Sequence, residues 1–539
     1  MDRFLSSVKS LIEEVNNVSV TENGAIGYST SGKTLVDINF SVASLRNVPD
    51  KDVQNKIHEL YVENPRIAVK WIFFAGDVRE GLGERRLFRL AIKQLINENP
   101  EVVKRVLKLI PEYTRWDNLV LMMSCNIVEK DILEIIKQQL MDDMNNCKTN
   151  KPISLLAKWM PSINTSNKDQ VRLARFIAQE LHIKQSTYRK MLSKLRSYSN
   201  VTETLVSSNQ WDKINYEAVP SKANLLYKDA FLKHDNERRT EYLDQVTKGE
   251  KTINSSVAFP CDIVHKYYSG SIFDNTAWEI DMTLETMWSN LPNYVNGDDS
   301  TIVVSDGSGS MLCRCGGKNS NMTALEVAMS IAIYFSERCK GVFKDKYITF
   351  SEKPKFVDFS KCNSLKHKLY EAKCHNECQN TNIEGVFTLI LKAAVENKLS
   401  QEELPKNILI ISDMEFDYGV TINNRSGWNY SIDIYGTRDN HGQIILPSRN
   451  NYKLFERIKS IYESYGYKMP KLIFWNVNSR TNTIPVIEND LGVALVSGYS
   501  TNIVKMVLSG KLDPYEIIME QLNNKRYDKV EEAVSDILR

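Results

Sequence analysis

The residues best suited to chemistry are three oxygen-bearing side chains at alternate positions of one loop, Asp306, Ser308 and Ser310. Alternate positions in a turning loop can direct their oxygens to a common centre, and two other loops offer Thr381 and Asp413. Hydroxyl and carboxylate oxygens are hard ligands, which suit Mg²⁺ or Mn²⁺ better than a soft metal. The pattern therefore predicts a metal site, although Ser and Asp are also typical of plain turns and helix caps.

Two catalytic patterns do not fit this loop. A phosphate-binding P-loop needs a lysine directly after its second glycine, and none follows here. The nucleophile elbow of hydrolases needs glycines two residues before and after its serine, but Asp306 and Ser310 occupy those positions around Ser308. None of the seven histidines supplies an evident general base beside Ser308. We therefore expect a binding protein rather than an enzyme.

The elements that position these loops begin near residue 296, where apolar strand candidates start to alternate with amphipathic helices. This alternation predicts a doubly wound, mainly parallel α/β domain in residues 296–539. Ligands of such sheets bind at the carboxyl ends of the strands, so the loops after Val304 and Ile411 are the expected place for chemistry. The predicted strands are Thr301–Val304, Lys346–Phe350, Lys355–Val357, Asn407–Ile411, Lys471–Trp475 and Val493–Val496, and the predicted helices are Thr323–Arg338, Ile383–Glu396 and Tyr452–Tyr465.

Residues 1–295 have a different pattern, in which apolar residues recur at spacings of three and four. That spacing predicts serial amphipathic helices, with boundaries marked by the prolines at 65, 100, 111 and 161. We expect an all-helical, HEAT-like repeat array, although no fixed period is evident. The exception is Thr21–Phe40, whose Gly, Ser and Thr content predicts a loop or a short hairpin.

The second half resembles the von Willebrand factor A fold and its metal-ion-dependent adhesion site. The resemblance rests on the D-x-S-x-S loop between a strand and a helix, with the threonine and the second aspartate at neighbouring strand ends. It implies that the three hydroxyl residues are close ligands and that both aspartates contact the ion directly or through water. In that family a partner's carboxylate usually completes the site. This sequence departs from the plain domain by a long insertion, Glu415–Asn450.

A helical half followed by such a domain resembles the Ro autoantigen group, whose TROVE-like helical ring binds RNA. The likeness to Ro is architectural, and a closer likeness is to a family of uncharacterised proteins with the same arrangement. The segments that carry the closer likeness are Arg79-Glu-Gly-Leu-Gly-Glu-Arg-Arg86, Arg115-Trp-Asp117, Tyr188-Arg-Lys190, Leu195-Arg196, Val219-Pro-Ser221, Phe474-Trp-Asn476 and Val496-Ser-Gly498. Arg115 and Asp117 also have a purely structural interpretation, as an ion pair that ties neighbouring helices.

Two cysteine clusters crowd the loops of the predicted metal site. Cys313 and Cys315 follow the first loop, and Cys374 and Cys378 precede the predicted threonine ligand. The four thiolates could form a tetrahedral Zn²⁺ site, with His375 as a substitute ligand. Free thiols and a redox disulfide are the alternatives, because these spacings are looser than paired C-x₂-C knuckles.

Charge is balanced along the chain, with 69 basic and 67 acidic residues, except between residues 151 and 200. That segment has ten basic residues and two acids, which predicts a phosphate-binding face on neutral helices. Tyr188 and Trp159 lie among them and could stack on unpaired bases. The alternative is a solvated helix face. The predicted RNA-binding residues are Lys168, Arg172, Arg175, Arg189, Lys190, Lys194 and Arg196.

Composition narrows the class of protein further. No run of eighteen apolar residues exists, so we expect no membrane span. The amphipathic, acid-containing start does not resemble a signal peptide, and nine cysteines do not describe a disulfide scaffold, so we expect a cytoplasmic protein. The leading hypothesis is an RNA-binding protein whose metal-binding half recruits a protein partner through an Asp or Glu. The alternative is a scaffold that binds the acidic partner without RNA.

Overall fold

The computed structural model describes the chain in two compact units, each assembled from three stretches of sequence. A sheet-containing unit comprises the described residues of Met1–Asn47, Tyr267–Thr276 and Asn293–Met519, and a helical unit comprises those of Val48–Lys266, Ala277–Pro292 and Glu520–Arg539. The structure describes residues 17–23, 26–268, 279–295, 300–317, 320–350, 354–375, 383–416, 437–438, 444–445, 454–485, 493–508, 511 and 513–538.

The sheet-containing unit is organised around one six-stranded sheet. The strands of the unit are β1 Val18–Val20, β2 Ile26–Tyr28, β3 Thr301–Asp306, β4 Lys346–Phe350, β5 Lys355–Asp358, β6 Asn407–Ser412, β7 Thr437–Arg438, β8 Ile444–Ile445, β9 Lys471–Asn476 and β10 Val493–Ser497. The order of strands in the six-stranded sheet is β10-β9-β6-β3-β4-β5. Neighbouring strands are parallel except for β5, which runs antiparallel at one edge. The central strands β3 and β6 are buried along their whole length, as expected for strands covered on both faces.

The helix that follows the first predicted metal loop is the most buried of this unit. It spans Ala324–Arg338 and begins with a capping box, in which Thr323 and Glu326 satisfy each other's backbone N–H groups. Its sequence is apolar on nearly all sides, which explains why it packs against β3, β4 and β6. The helices of the unit are Thr34–Phe40, Ala324–Arg338, Leu365–Cys374, Ile383–Asn397, Leu454–Ser464, Ile503–Val507 and Pro514–Leu522.

The helical unit consists of short helices with conventional ends. Asn64 caps a helix that begins with Pro65, and Asn99 caps one that begins with Pro100, because proline at the first helical position loses no hydrogen bond. Its helices are Asp50–Glu63, Pro65–Gly76, Arg85–Glu98, Pro100–Val106, Ile110–Tyr113, Trp116–Leu121, Glu129–Lys148, Leu156–Trp159, Lys168–Glu180, Gln185–Tyr198, Thr202–Ser207, Ser221–His234, Asn236–Thr247, Pro260–Tyr267, Met282–Ser289 and Asp528–Val534.

The predicted layout of a helical first half and a sheet in the second half is confirmed, and the six predicted strands are those of the sheet. The segment Thr21–Phe40 contributes to the antiparallel hairpin β1–β2, and it also contains the helix Thr34–Phe40, which we did not predict. Most of the insertion Glu415–Asn450 lies outside the described residues. The HEAT-like repeat type stays a prediction. None of the helices in the described ranges is long and apolar enough to cross a membrane.

Candidate functional site

The first predicted metal loop begins at the end of a central strand of the sheet. Asp306 is the last residue of β3, Ser308 follows it, and Ser310 lies in the short turn Gly309–Leu312. Asp413 comes directly after β6, the parallel neighbour of β3. Because the carboxyl ends of adjacent parallel strands meet at one edge, both aspartates lie at the same edge of the sheet.

Hydrogen bonds connect the residues of this edge into one cluster. The Asp306 carboxylate accepts from the backbone N–H of Ser308 at 2.9 Å and from the hydroxyl of Ser412 at 2.6 Å. The hydroxyls of Ser308 and Ser310 lie 2.9 Å apart. Asp413 accepts from the backbone N–H of Glu415 at 3.2 Å. The structure therefore brings four of the five predicted magnesium ligands together, whereas Thr381 lies outside the described residues.

The electrostatics of the cluster are unfavourable for two bare carboxylates. Asp306 is only 1% exposed, and burial followed by the charge of Asp413 raises its pKa to about 7. Burial also raises the pKa of Asp413, and Arg480 opposes that effect. The Arg480 guanidinium lies 3.0 Å from the Asp413 carboxylate, but in the described part of the chain no cation pairs with Asp306.

Two residues that we did not single out, Glu415 and Arg480, add further charges beside the cluster, and the Arg480 guanidinium also pairs with Glu22. Glu415 is fully buried and accepts from the backbone N–H groups of Arg480 at 2.7 Å and Thr481 at 2.9 Å. These bonds hold the loop after β9 so that Arg480 reaches Asp413. Glu415 lies two residues after Asp413 in the sequence, which was a usable signal, whereas Arg480 is remote in the chain and had none.

The donor set fits a hard divalent cation. Two carboxylates and two hydroxyls at one edge are the ligand types that Mg²⁺ and Mn²⁺ prefer, and an ion there would favour the ionised form of Asp306. Residues 300–317 and 407–413, which carry these side chains, are described in full. Arg480 places a positive charge at this edge through its ion pair with Asp413.

The cysteines of the predicted zinc site differ from one another in burial. Cys315 is fully buried and burial raises the pKa of its thiol to about 11, which disfavours the thiolate that zinc requires. Cys313 and Cys374 are exposed, and Cys378 lies outside the described residues. Where the chain is described, no three His, Cys, Asp or Glu side chains are grouped so that they could hold a metal ion. Zinc binding stays a prediction.

The basic segment forms the outer faces of the helices Lys168–Glu180 and Gln185–Tyr198, which pack on each other. Arg172 lies 3.6 Å from Asp169 on its own helix, and the other exposed basic residues make no ion pair within the described ranges. The exposed members of the predicted RNA-binding set are Lys168, Arg172, Arg175, Arg189, Lys190 and Lys194.

Arg196 does not join this exposed surface. Its guanidinium donates to the carbonyl oxygens of Ala157 and Met160 and to the hydroxyl of Ser162, at 2.7–2.8 Å. The expectation that Tyr188 stacks on a base is wrong, because its ring is fully buried and its hydroxyl donates to the carbonyl oxygen of Pro161 at 2.9 Å.

Comparisons with known proteins place similarity along both halves of the chain. Residues 300–537 match a family model described as a domain of unknown function (DUF7788), and residues 130–295 match another domain of unknown function (DUF2828). The chain is 26% identical over 549 residues to the uncharacterized protein L728 of Acanthamoeba polyphaga mimivirus. That similarity covers 94% of this chain and 87% of the viral protein. These descriptions name no activity.

Proposed function

We propose that the sheet-containing unit binds Mg²⁺ or Mn²⁺ through Asp306, Ser308, Ser310 and Asp413, with Thr381 as a further ligand, and that the bound ion holds an acidic group of a protein partner. One observation carries the proposal. Asp306 is a buried carboxylate that accepts two hydrogen bonds, has no cation beside it among the described residues, and lies next to a second carboxylate. A buried carboxylate of this kind stays ionised at neutral pH only where a cation balances its charge, and otherwise it retains its proton.

The resemblance to the von Willebrand factor A domain supports the same assignment. In that arrangement hydroxyls contact the ion, aspartates supply negative charge, and a carboxylate from a partner takes the open position. Arg480 competes with the ion for Asp413 in this proposal. It neutralises Asp413 when no ion is bound. Its positive charge also lowers the affinity of the site for a cation.

The test is metal-dependent stabilisation of the full chain. Mg²⁺ or Mn²⁺ at millimolar concentration should raise the melting temperature of the native protein, because a ligand that binds only the folded state stabilises it. The double substitution Ser308→Ala and Ser310→Ala should abolish the increase, and Ser464→Ala, at an exposed serine of the same unit, should retain it. Equal melting temperatures with and without the ion in the native protein would refute the metal site.

The acidic partner is tested with a deca-glutamate peptide as the probe. The native protein should bind the peptide in Mg²⁺ and release it in a chelator, and the double serine variant should not bind in either condition. Peptide binding that persists in the chelator would show that basic side chains, not the ion, hold the acidic groups. That outcome would reject this part of the proposal while leaving the metal site standing.

A second candidate function is RNA binding by the helical unit, and one observation favours it. Most of the exposed cations on the two basic helices have no ion-pair partner within the described ranges, so they are available to phosphates. The Ro-like arrangement of a helical half before a von Willebrand A-like half supports the same function. A scaffold without RNA is the competing proposal.

Charge reversal separates RNA binding from the scaffold. Replacing Arg172, Arg175, Arg189 and Lys190 by Glu should weaken RNA binding across sequences and flatten its salt dependence, because fewer counterions are released. Reversing four exposed lysines on other helices is the matched control, at Lys93, Lys130, Lys137 and Lys148. Equal affinity of the two variants would show that RNA binds at another surface. No binding of RNA by the native protein at low salt would favour the scaffold.

A further inference from the structure

Three arginines of the helical unit converge on a single carboxylate. Arg85 and Arg89 lie one turn apart at the start of the helix Arg85–Glu98, and Arg115 is the residue before the helix Trp116–Leu121, which contains Asp117. Arg85 pairs with the Asp117 carboxylate, Arg89 lies 2.8 Å from it, and Arg115 lies 3.2 Å from it. We call Arg85, Arg89, Arg115 and Asp117 the arginine cluster.

The arginine cluster has more positive charge than an ion pair between helices requires. Three guanidinium groups carry three charges, and Asp117 offers one in return. The carboxylate side chain is only 11% exposed, whereas the guanidinium-bearing side chains of Arg85, Arg89 and Arg115 are 47%, 25% and 34% exposed. The surplus charge is therefore on the accessible side of the cluster.

The guanidinium groups also have unused donors. Three of their hydrogen bonds go to one oxygen of Asp117, and Arg89 makes a fourth to the side-chain oxygen of Asn118 at 2.7 Å. Each guanidinium has N–H groups on three nitrogens, so most donors of the cluster are left for a ligand. An acceptor with several oxygens would use them.

The positive charges of the three arginines repel one another, and this repulsion is seen in the pKa values of Arg89 and Arg115. The pKa of Arg89 is lowered to about 10, mainly by burial and secondly by the charge of Arg85. Burial and Arg85 likewise lower the pKa of Arg115, against the opposing charge of Asp117. A second negative charge would relieve this repulsion.

The geometry is fixed before any ligand arrives. The Arg115 guanidinium stacks over the Trp159 ring, 4.6 Å from its centroid, and Asn118 orients Arg89. Planar, fixed guanidinium groups match the spacing of phosphate oxygens and can donate to them in pairs. A rigid fork loses little side-chain entropy on binding.

We propose that Arg85, Arg89 and Arg115 form a binding site for a phosphate group. The charge of the cluster matches a phosphate dianion, and the free N–H donors match its several oxygens. The phosphate could belong to inorganic phosphate or to the end or backbone of an RNA strand, which share this chemistry. The proposal uses none of the residues of the basic helices or of the metal proposal, and it depends on neither.

The first experiment titrates inorganic phosphate into the full chain by calorimetry. Arg85→Gln is the informative variant, because Arg85 is the most exposed of the three and Asp117 keeps two partners without it. Losing one charged donor should weaken phosphate binding about tenfold or more. Arg105→Gln is the matched control, since this exposed arginine pairs with Asp536 elsewhere in the unit and should leave the affinity unchanged.

A second variant separates a ligand site from a structural network. Asp117→Asn removes the carboxylate that competes for the guanidinium groups, so phosphate should bind more tightly and should raise the melting temperature of this variant more than that of the native protein. A purely structural network predicts lower stability and no response to phosphate. That result would overturn the proposal even if Asp117→Asn were poorly stable.

Short RNA strands with and without a 5′-phosphate distinguish the sources. Preference for the phosphorylated strand, reduced by Arg85→Gln, assigns the site to a terminal phosphate. Equal binding of both strands, reduced by the same change, assigns it to the backbone. Binding of inorganic phosphate alone assigns it to a small ligand. Failure of phosphate and both strands to bind the native protein, or equal affinity in Arg85→Gln and Arg105→Gln, would overturn the proposal.

Discussion

Replacing Asp306 by Asn probes the buried carboxylate pair directly. Asn has nearly the same shape, and its oxygen can accept from the Ser308 N–H as Asp306 does. The contact with Ser412 can be retained with its direction reversed, because the amide would donate to a hydroxyl that now donates to Asp306. The main effect of the change is the loss of the charge that lies beside Asp413. Stability differences between Asp306→Asn and the native protein therefore report the electrostatics of the pair.

The raised pKa of Asp306 determines whether stability rises or falls with pH. Because its pKa rises from 3.8 to about 7 on folding, the folded protein holds the proton more tightly than the unfolded chain. Without divalent ions, native stability should fall as the pH rises from about 4 to about 7. The shift in the pKa of Asp306 corresponds to a loss of at most about 4 kcal/mol in the free energy of unfolding. At about 2 °C per kcal/mol, the melting temperature should fall by up to about 8 °C.

The assay is thermal unfolding between pH 4.5 and 8, in a chelator and in Mg²⁺. In the chelator, Asp306→Asn should show a much smaller decline, because only Asp413 of the pair still titrates, and it should be more stable than the native protein at pH 8. In Mg²⁺, the native protein should recover stability and Asp306→Asn should not respond. Glu463→Gln, at an exposed acid of the same unit, is the control and should behave as the native protein. The reasoning is refuted by a flat native profile in the chelator together with an Asp306→Asn variant that is less stable at every pH.

Three further changes test local contacts in the two units. Glu415→Gln should lower the free energy of unfolding by about 1–3 kcal/mol in urea titrations, because a buried charged acceptor of several N–H groups is lost. Thr323→Ala removes the capping box and should cost about 1 kcal/mol, measured in the same way. Arg526→Met leaves fully buried Asp77 without its cation and should cost about 3–5 kcal/mol, seen as earlier unfolding of the helical unit by circular dichroism.

The strands of the sheet could be predicted from the sequence because each strand has a recognisable pattern in its own residues. Each buried strand, such as Asn407–Ser412, is a short apolar run between helical patterns, and the alternation fixes parallel connections. The meeting of Asp306 and Asp413 needed only one more step, the adjacency of β3 and β6. The helix Thr34–Phe40 was missed because the Gly, Ser and Thr residues before it dominated the pattern.

The contacts around the candidate site could not be predicted from the sequence in the same way. The approach of Arg480 to Asp413 depends on the buried Glu415, which gathers N–H groups from a loop some 65 residues away, and no local pattern encodes that. For Tyr188 the signal existed but was overlooked. Its spacing from Leu192 and Leu195 puts all three on one buried stripe of their helix.

The central claim is that a divalent cation binds among Asp306, Ser308, Ser310 and Asp413, and anomalous scattering tests it most directly. In crystals of the full chain grown with millimolar Mn²⁺, the account predicts an anomalous peak in contact with both serine hydroxyls and with a carboxylate oxygen of the pair. A map without a peak at this edge of the sheet, with Asp413 paired only to Arg480, would contradict it.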